Sequence, residues 1–165
     1  MAHSSVRNDP VGCLAEVMPG MFEGSSPIGG AVIGKQLIVT KQIGPETLAD
    51  STEYQVPLLI APCDGVYLKR LYIAAYTKPA GGTNAVNVYR WDGTTDHQQL
   101  ATADFDPTGL SSNIGKKLTL TTTRSKRLGS AGDVWRVRYE AGAQDTDAVG
   151  VIVTAVFIVP SADAD

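Results

Sequence analysis

The chain has 165 residues, 43% of them hydrophobic, and a formal net charge of −3. That length suits one domain with an appendage and a core that needs no metal or disulfide, and the hydrophobic fraction excludes wholesale disorder. The acidic balance argues against a nucleic-acid partner, which calls for a basic excess. The longest apolar run, 148–159, is interrupted by Gly150 and Thr154 and falls short of the ~20 residues of a membrane-spanning helix, so no membrane partner is expected.

In chain order, the opening residues MAHSSVRNDP lack the apolar core of a signal peptide, and synthesis in a cytoplasm is expected. Residues 1–30 read as an extended arm. MPGMFEGSSPIGG, 18–30, is dense in glycine, proline and serine, and 11–17 has no sustained period. A long irregular segment is uncommon inside a compact domain, so this one is expected to lie on another surface. Residues 31–53 give a short strand or hairpin and a linker.

A β-sandwich is expected over 54–160, followed by a tail, 161–165. YQVPLLIA, 54–61, is an apolar run whose Pro57 offers no ladder donor, which predicts an edge or bulged strand. Asp64-Gly65 is a turn. VYLKRLYIAA, 66–75, alternates imperfectly: Val66, Leu68, Arg70 and Tyr72 share one parity, and Lys69, Leu71 and Ile73 the other. AVNVYRW, 85–91, is a strand closed by Asp92-Gly93, and Leu100 to Phe105 a short one broken at Asp106-Pro107. KLTLTTT, 117–123, alternates leucine with β-prone threonine. In GDVWRVRYE, 132–140, Trp135, Val137 and Tyr139 form one face of a half-buried strand. The β-branched AVGVIVTAVFIV, 148–159, reads as a central strand. No helical stretch of ten or more residues follows Tyr54. Many short strands separated by turns predict an all-β, antiparallel, jelly-roll-like sandwich with an N-terminal arm.

Motifs with chemistry are sparse. GGAVIGKQ, 29–36, matches most of a phosphate-binding loop. However, Gln36 stands where a Mg²⁺-binding hydroxyl belongs, and LIVT follows where a helix should begin, so β-structure is expected. The short basic run Arg124-Ser125-Lys126-Arg127 reads as a solvated loop rather than a phosphate site. The chain has two histidines, His3 and His97; His97, beside Asp92 and Asp96, is the candidate for a metal or a hydrolytic centre, but a solvated polar loop is the simpler reading, and no nucleophile elbow supports a hydrolase. Asp104 and Asp106, like Asp145 and Asp147, read as turn residues. Trp135 reads as core, whereas Trp91, beside a turn, is the best exposed ring and the basis of an alternative function as a glycan-touching module or head fibre. Cys13 and Cys63 are the only cysteines; buried thiols are expected, and their pairing is left open. No catalytic residue, cofactor or metal is assigned.

The pattern resembles the head decoration (cement) proteins of tailed bacteriophages. The resemblance covers roughly 54–160 and rests on LLIAPCDGVYLKRLYIAA, on KLTLTTTRSKRLGSAGDVWRVRYE, and on the valine-rich strand ending at Pro160. It implies a non-enzymatic virion protein, made in the host cytoplasm. Such a protein sits on the outer capsid surface as a homotrimer, binds the major capsid protein and bridges its subunits. The arm suits capsid contact, with Leu14, Val17, Met21 and Phe22 burying apolar surface against the capsid or a neighbouring copy.

Overall fold

Two antiparallel sheets dominate residues 23–25 and 34–160, the part of the chain that this computed structural model describes. The first runs β1 (Glu23–Ser25), β2 (Gly34–Gln42), β12 (Ile152–Pro160), β5 (Val66–Ala74), with β8 (Lys116–Lys117) and β9 (Leu128–Gly129) sharing the far edge of β5. The second runs β4 (Glu53–Ile60), β10 (Val134–Glu140), β6 (Ala85–Trp91), β7 (Asp96–Gln98). A small pair, β3 (Thr47–Leu48) with β11 (Ala148–Val149), lies beside them. From β4 onward the chain passes repeatedly from one large sheet to the other, so neighbours within a sheet come from distant parts of the sequence. This is the jelly-roll solution to burying two half-apolar sheets.

The strands form where period-two alternation can bury one face. In β10, Trp135, Val137 and Tyr139 are fully buried while Val134, Arg136, Arg138 and Glu140 are half-exposed. β12 is central, paired along its length with β2 and over most of it with β5. The inner faces meet at the Trp135 and Phe157 rings, 5.1 Å apart and steeply inclined, an edge-to-face arrangement that adds to area burial. The indole leaves no room for a side chain on β9: a Cβ at Gly129 would lie inside its van der Waals envelope. The Asp64-Gly65 turn has Gly65 at φ +81°, a backbone region that favours glycine.

Pro57 lies on β4, an edge strand, at a register shift opposite Trp135 and Arg136, as its missing donor requires. β2 was set apart by sequence as a hairpin and linker, yet it pairs with β12 and contributes Leu37, Val39 and the following Ile43 to the core. The two-sheet unit therefore begins well before residue 54, because β2 supplies the neighbour that β12 needs.

Two expected strands differ. Residues 100–105 make only isolated bridges, Leu100 with Leu120 and Phe105 with Val86. The 117–123 segment is a strand only at Lys117 and then spans between sheets. Leu118 N–H donates to Leu71 of β5 (2.9 Å), whereas Thr119 accepts from Ala101 (3.0 Å) and Thr121 donates to Gln99 (2.8 Å) beyond β7. A segment that divides its backbone bonds between two sheets cannot be a regular member of either. Arg124–Arg127 forms a one-turn helix, α1. Residues 1–22, 26–33 and 161–165, and with them Cys13, Leu14, Val17, Met21 and Phe22, lie outside the described residues. Cys63 is half-buried against the core.

Candidate functional site

The β6–β7 hairpin gathers the residues that sequence singled out. The Asp92 carboxylate accepts from the N–H groups of Thr94 (2.9 Å) and Thr95 (2.7 Å), an Asx-type turn that closes the hairpin. Its second oxygen lies 2.6 Å from His97 Nε2. The His97 hydrogen bond, reinforced by those of Thr95 and Thr94, holds the Asp92 carboxyl well below the usual carboxylate range. Asp96 is instead paired with Arg136, at 2.5 Å. The two carboxylates are thus spent on separate structural tasks. Asp104 accepts from Asn87, and Asp106 caps the one-turn 3₁₀ helix Pro107–Gly109 through Thr108 N–H at 2.9 Å. Among the described residues no group of three or more His, Cys, Asp or Glu could hold a metal ion, and no helix is long and apolar enough to cross a membrane. Gly34–Gln36, the described end of the phosphate-loop lookalike, opens strand β2.

Trp91 is 36% exposed and stands in one register row with Val134 and Ile60 on the outer face of the four-stranded sheet. The Arg136 guanidinium lies 5.8 Å from its ring centroid, and Arg138 holds the same distance over Tyr89. These rings serve as cation–π partners within the sheet face.

The outer face of the six-stranded sheet is different. Ile38 (50% exposed) pairs in register with Val156, next to Ile158, and Ile152 (39% exposed) lies beyond the next row, in which the Thr40 and Thr154 hydroxyls stand 3.0 Å apart. Arg70, paired in register with Val156, forms the charged border of this apolar strip.

Beside that border the sheet edge opens. β9 pairs with Val66 and Tyr67, and β8 with Tyr72 and Ile73, so among the described residues no strand covers the part of β5 between them. Arg127 caps the gap, donating to the Leu68 carbonyl through Nε (2.9 Å) and Nη2 (2.8 Å) and to Lys69 O at 3.1 Å. A surface cavity of about 320 Å³ remains, lined by Lys69, Arg70, Lys117 and Arg127 over Leu118 and Leu120. A β-bulge builds half of it. Val156 pairs with Arg70 and Phe157 with Leu68, so Lys69 is the extra residue. The bulge reverses the parity of β5: Leu68 and Leu71 are both buried, and Lys69 and Arg70 both line the opening. The imperfect alternation in the sequence was the signal of this bulge.

α1 builds the other half, and the core fixes α1. The carbonyls of Ser125 and Lys126 accept from Arg90 at 3.2 and 3.1 Å, and Arg90 is ion-paired with Asp133 in the interior. Gln99 also donates to Lys126 O at 2.7 Å and accepts from the Trp135 indole at 3.3 Å. Arg127 therefore leaves a turn tied to buried groups, and its guanidinium stacks 4.5 Å above the Tyr67 ring centroid. The basic run that read as a solvated loop is in part structural.

No family model matches the chain, and no curated protein matches its sequence. In shape it is similar to solved structures of viral proteins. One is the capsid of Ralstonia phage GP4 (11% identity, 84% of this chain and 92% of that chain covered, TM-score 0.43). Another is Desmodium yellow mottle tymovirus (12%, 82% and 92%, 0.35). A third is infectious bursal disease virus strain Gx (11%, 87% and 42%, 0.32). This is a likeness of overall shape, and it assigns no role to individual residues.

Proposed function

We propose that the chain is a non-enzymatic structural virion protein that binds the outer surface of an assembled phage capsid and stabilises it by bridging neighbouring subunits. The observation that carries the reading is the contrast between interior and surface. The space between the sheets is filled by side chains such as Trp135, Phe157, Leu68 and Tyr139, all fully buried. Meanwhile Ile38 and Ile152 stand out on a sheet face bordered by basic residues. A filled sandwich with an apolar outer strip favours contact with another surface over enclosure of a small molecule. The sequence resemblance to decoration proteins supplies the partner, the major capsid protein, and the homotrimer.

A protein that binds only the assembled lattice stabilises it by mass action, and repetition over the lattice multiplies each modest contact. The arm, residues 1–30, of which 1–22 precede β1, is assigned to the same interface, with Leu14, Val17, Met21 and Phe22 as its apolar anchors. Co-sedimentation with empty expanded capsids tests this, together with light scattering of the free protein. The full chain is expected to pellet with capsids and to scatter as a trimer. A version lacking residues 1–22, which keeps β1, is expected to stay folded and remain in the supernatant. Undiminished pelleting of that version would remove the arm from the account.

A further inference from the structure

We infer that the basic cavity at the β5 edge binds the carboxylate groups of an acidic protein segment. Four cationic side chains, Lys69, Arg70, Lys117 and Arg127, converge on one opening of about 320 Å³ with no Asp or Glu among the described residues of its lining. This occurs in a chain whose net charge is −3, so the clustering runs against the overall balance. Among the described residues none of the four is ion-paired: the carboxylates partner Arg90, His97, Arg136 and Arg138 instead. Like charges held together repel, and an anion from outside relieves that repulsion.

The geometry selects the kind of anion. Arg127 already gives Nε and Nη2 to backbone carbonyls of β5, so it supplies positive potential more than hydrogen bonds. Lys69 and Arg70, on the uncovered stretch of β5, and Lys117, on β8 at one end of it, supply the donors. Separated side-chain donors around an open mouth suit several carboxylates, each met by an ammonium or by a guanidinium fork. A lone phosphate is more often seated by converging backbone N–H groups. Leu118 and Leu120 in the lining give the methylene stems of glutamates an apolar surface. The apolar strip around Ile38 and Val156 adjoins at Arg70, so one partner surface would meet both.

The chemistry of the site stands on the residues above; the source of the carboxylates, an acidic segment of the capsid surface, rests on the proposed function. The test uses the full chain and two kinds of target. Calorimetric titration at low ionic strength, where surface charge is least screened, measures binding of a short polyglutamate peptide, of inorganic phosphate and of oligothymidylate. Polyglutamate is expected to bind most tightly. Lys117→Glu is expected to weaken it about ten-fold, Lys117→Arg to preserve it, and Lys41→Glu, an equal charge change on β2, to leave it within about two-fold. Arg70→Gln repeats the test should Lys117→Glu fail to fold. Absence of polyglutamate binding, equal loss in Lys117→Glu and Lys41→Glu, or tighter binding of phosphate or oligothymidylate would each overturn the inference. The second target is the empty expanded capsid. Capsid binding that is identical for wild type and Lys117→Glu overturns the capsid as carboxylate source and leaves the proposed function standing. Polyglutamate binding through Lys117 with no capsid binding by wild type keeps the site and removes the proposed function.

Discussion

Replacing Asp133 by alanine strikes the group that anchors α1 to the core. The Arg90 and Asp133 side chains are only 8% and 7% exposed, so neither keeps much hydration. In Asp133→Ala the guanidinium stays buried with only the carbonyls of Ser125 and Lys126 as partners, and Ser130 N–H loses its acceptor at 2.9 Å. Breaking a buried ion pair from one side costs about 3–5 kcal/mol. The two surviving carbonyl bonds place this case near the lower end, and the orphaned Ser130 amide adds about 1 kcal/mol. A loss of roughly 4 kcal/mol is a large part of the 5–15 kcal/mol typical of a domain. Urea unfolding of the wild type, Asp133→Ala, Arg90→Met and the double variant measures it, with unchanged m-values required for comparison. The double variant is expected to cost clearly less than the sum of the singles, since it leaves no lone buried charge. A cost under about 1 kcal/mol for Asp133→Ala, or strict additivity in the cycle, would refute the reasoning.

Other outcomes follow from single contacts. Gly129→Ala forces a methyl group into the space of the Trp135 indole and should cost about 1–3 kcal/mol, read as a lower calorimetric Tm; an unchanged Tm contradicts the packing described. The Tyr139 hydroxyl is buried without a hydrogen-bond partner among the described residues, and burial raises its pKa. Tyr139→Phe should therefore be neutral or stabilising by up to about 1 kcal/mol, and a clear loss in denaturant would reveal an unseen partner. Because His97 is the first cause of the depressed Asp92 pKa, His97→Ala should raise that pKa toward the ordinary value in an NMR carboxyl titration. Asp92's contribution to stability is present above its unfolded-state pKa and is lost as pH falls through the lower folded value. In His97→Ala that acid-side loss should begin at the same pH, end at a higher pH and be smaller, and an unmoved Asp92 midpoint counts against the hydrogen bond.

The legible parts of the fold were those in which one residue's neighbours settle its environment. Trp135, Val137 and Tyr139 alternate with polar residues, and burial on one face follows from period alone. Pro57 marked an edge strand because a missing donor is a local fact. Where pairing is set by remote chain, the local signal failed. The 117–123 run has the composition of a strand, but its backbone bonds go to Leu71 in one direction and to Gln99 and Ala101 in the other. β2 belongs to the sandwich because β12 lies beside it, more than a hundred residues later. The basic cavity was half visible. The broken parity at Lys69 and Arg70 was noted, but only the register with β12 shows it to be a bulge. Nothing in the run at 124–127 indicates that Arg127 folds back onto Leu68.

The outer face of the six-stranded sheet is the proposed capsid-binding surface, and Ile38 and Ile152 test it most simply. Both are exposed, so an Ile38→Glu, Ile152→Glu double variant should unfold at close to the wild-type urea midpoint, because changes at exposed positions cost little. Co-sedimentation of this variant with empty expanded capsids, beside the wild type, is the direct measurement. Wild type is expected to pellet with the capsids and the folded variant to stay in the supernatant. Equal pelleting of the two, or no pelleting of the wild type, would contradict it.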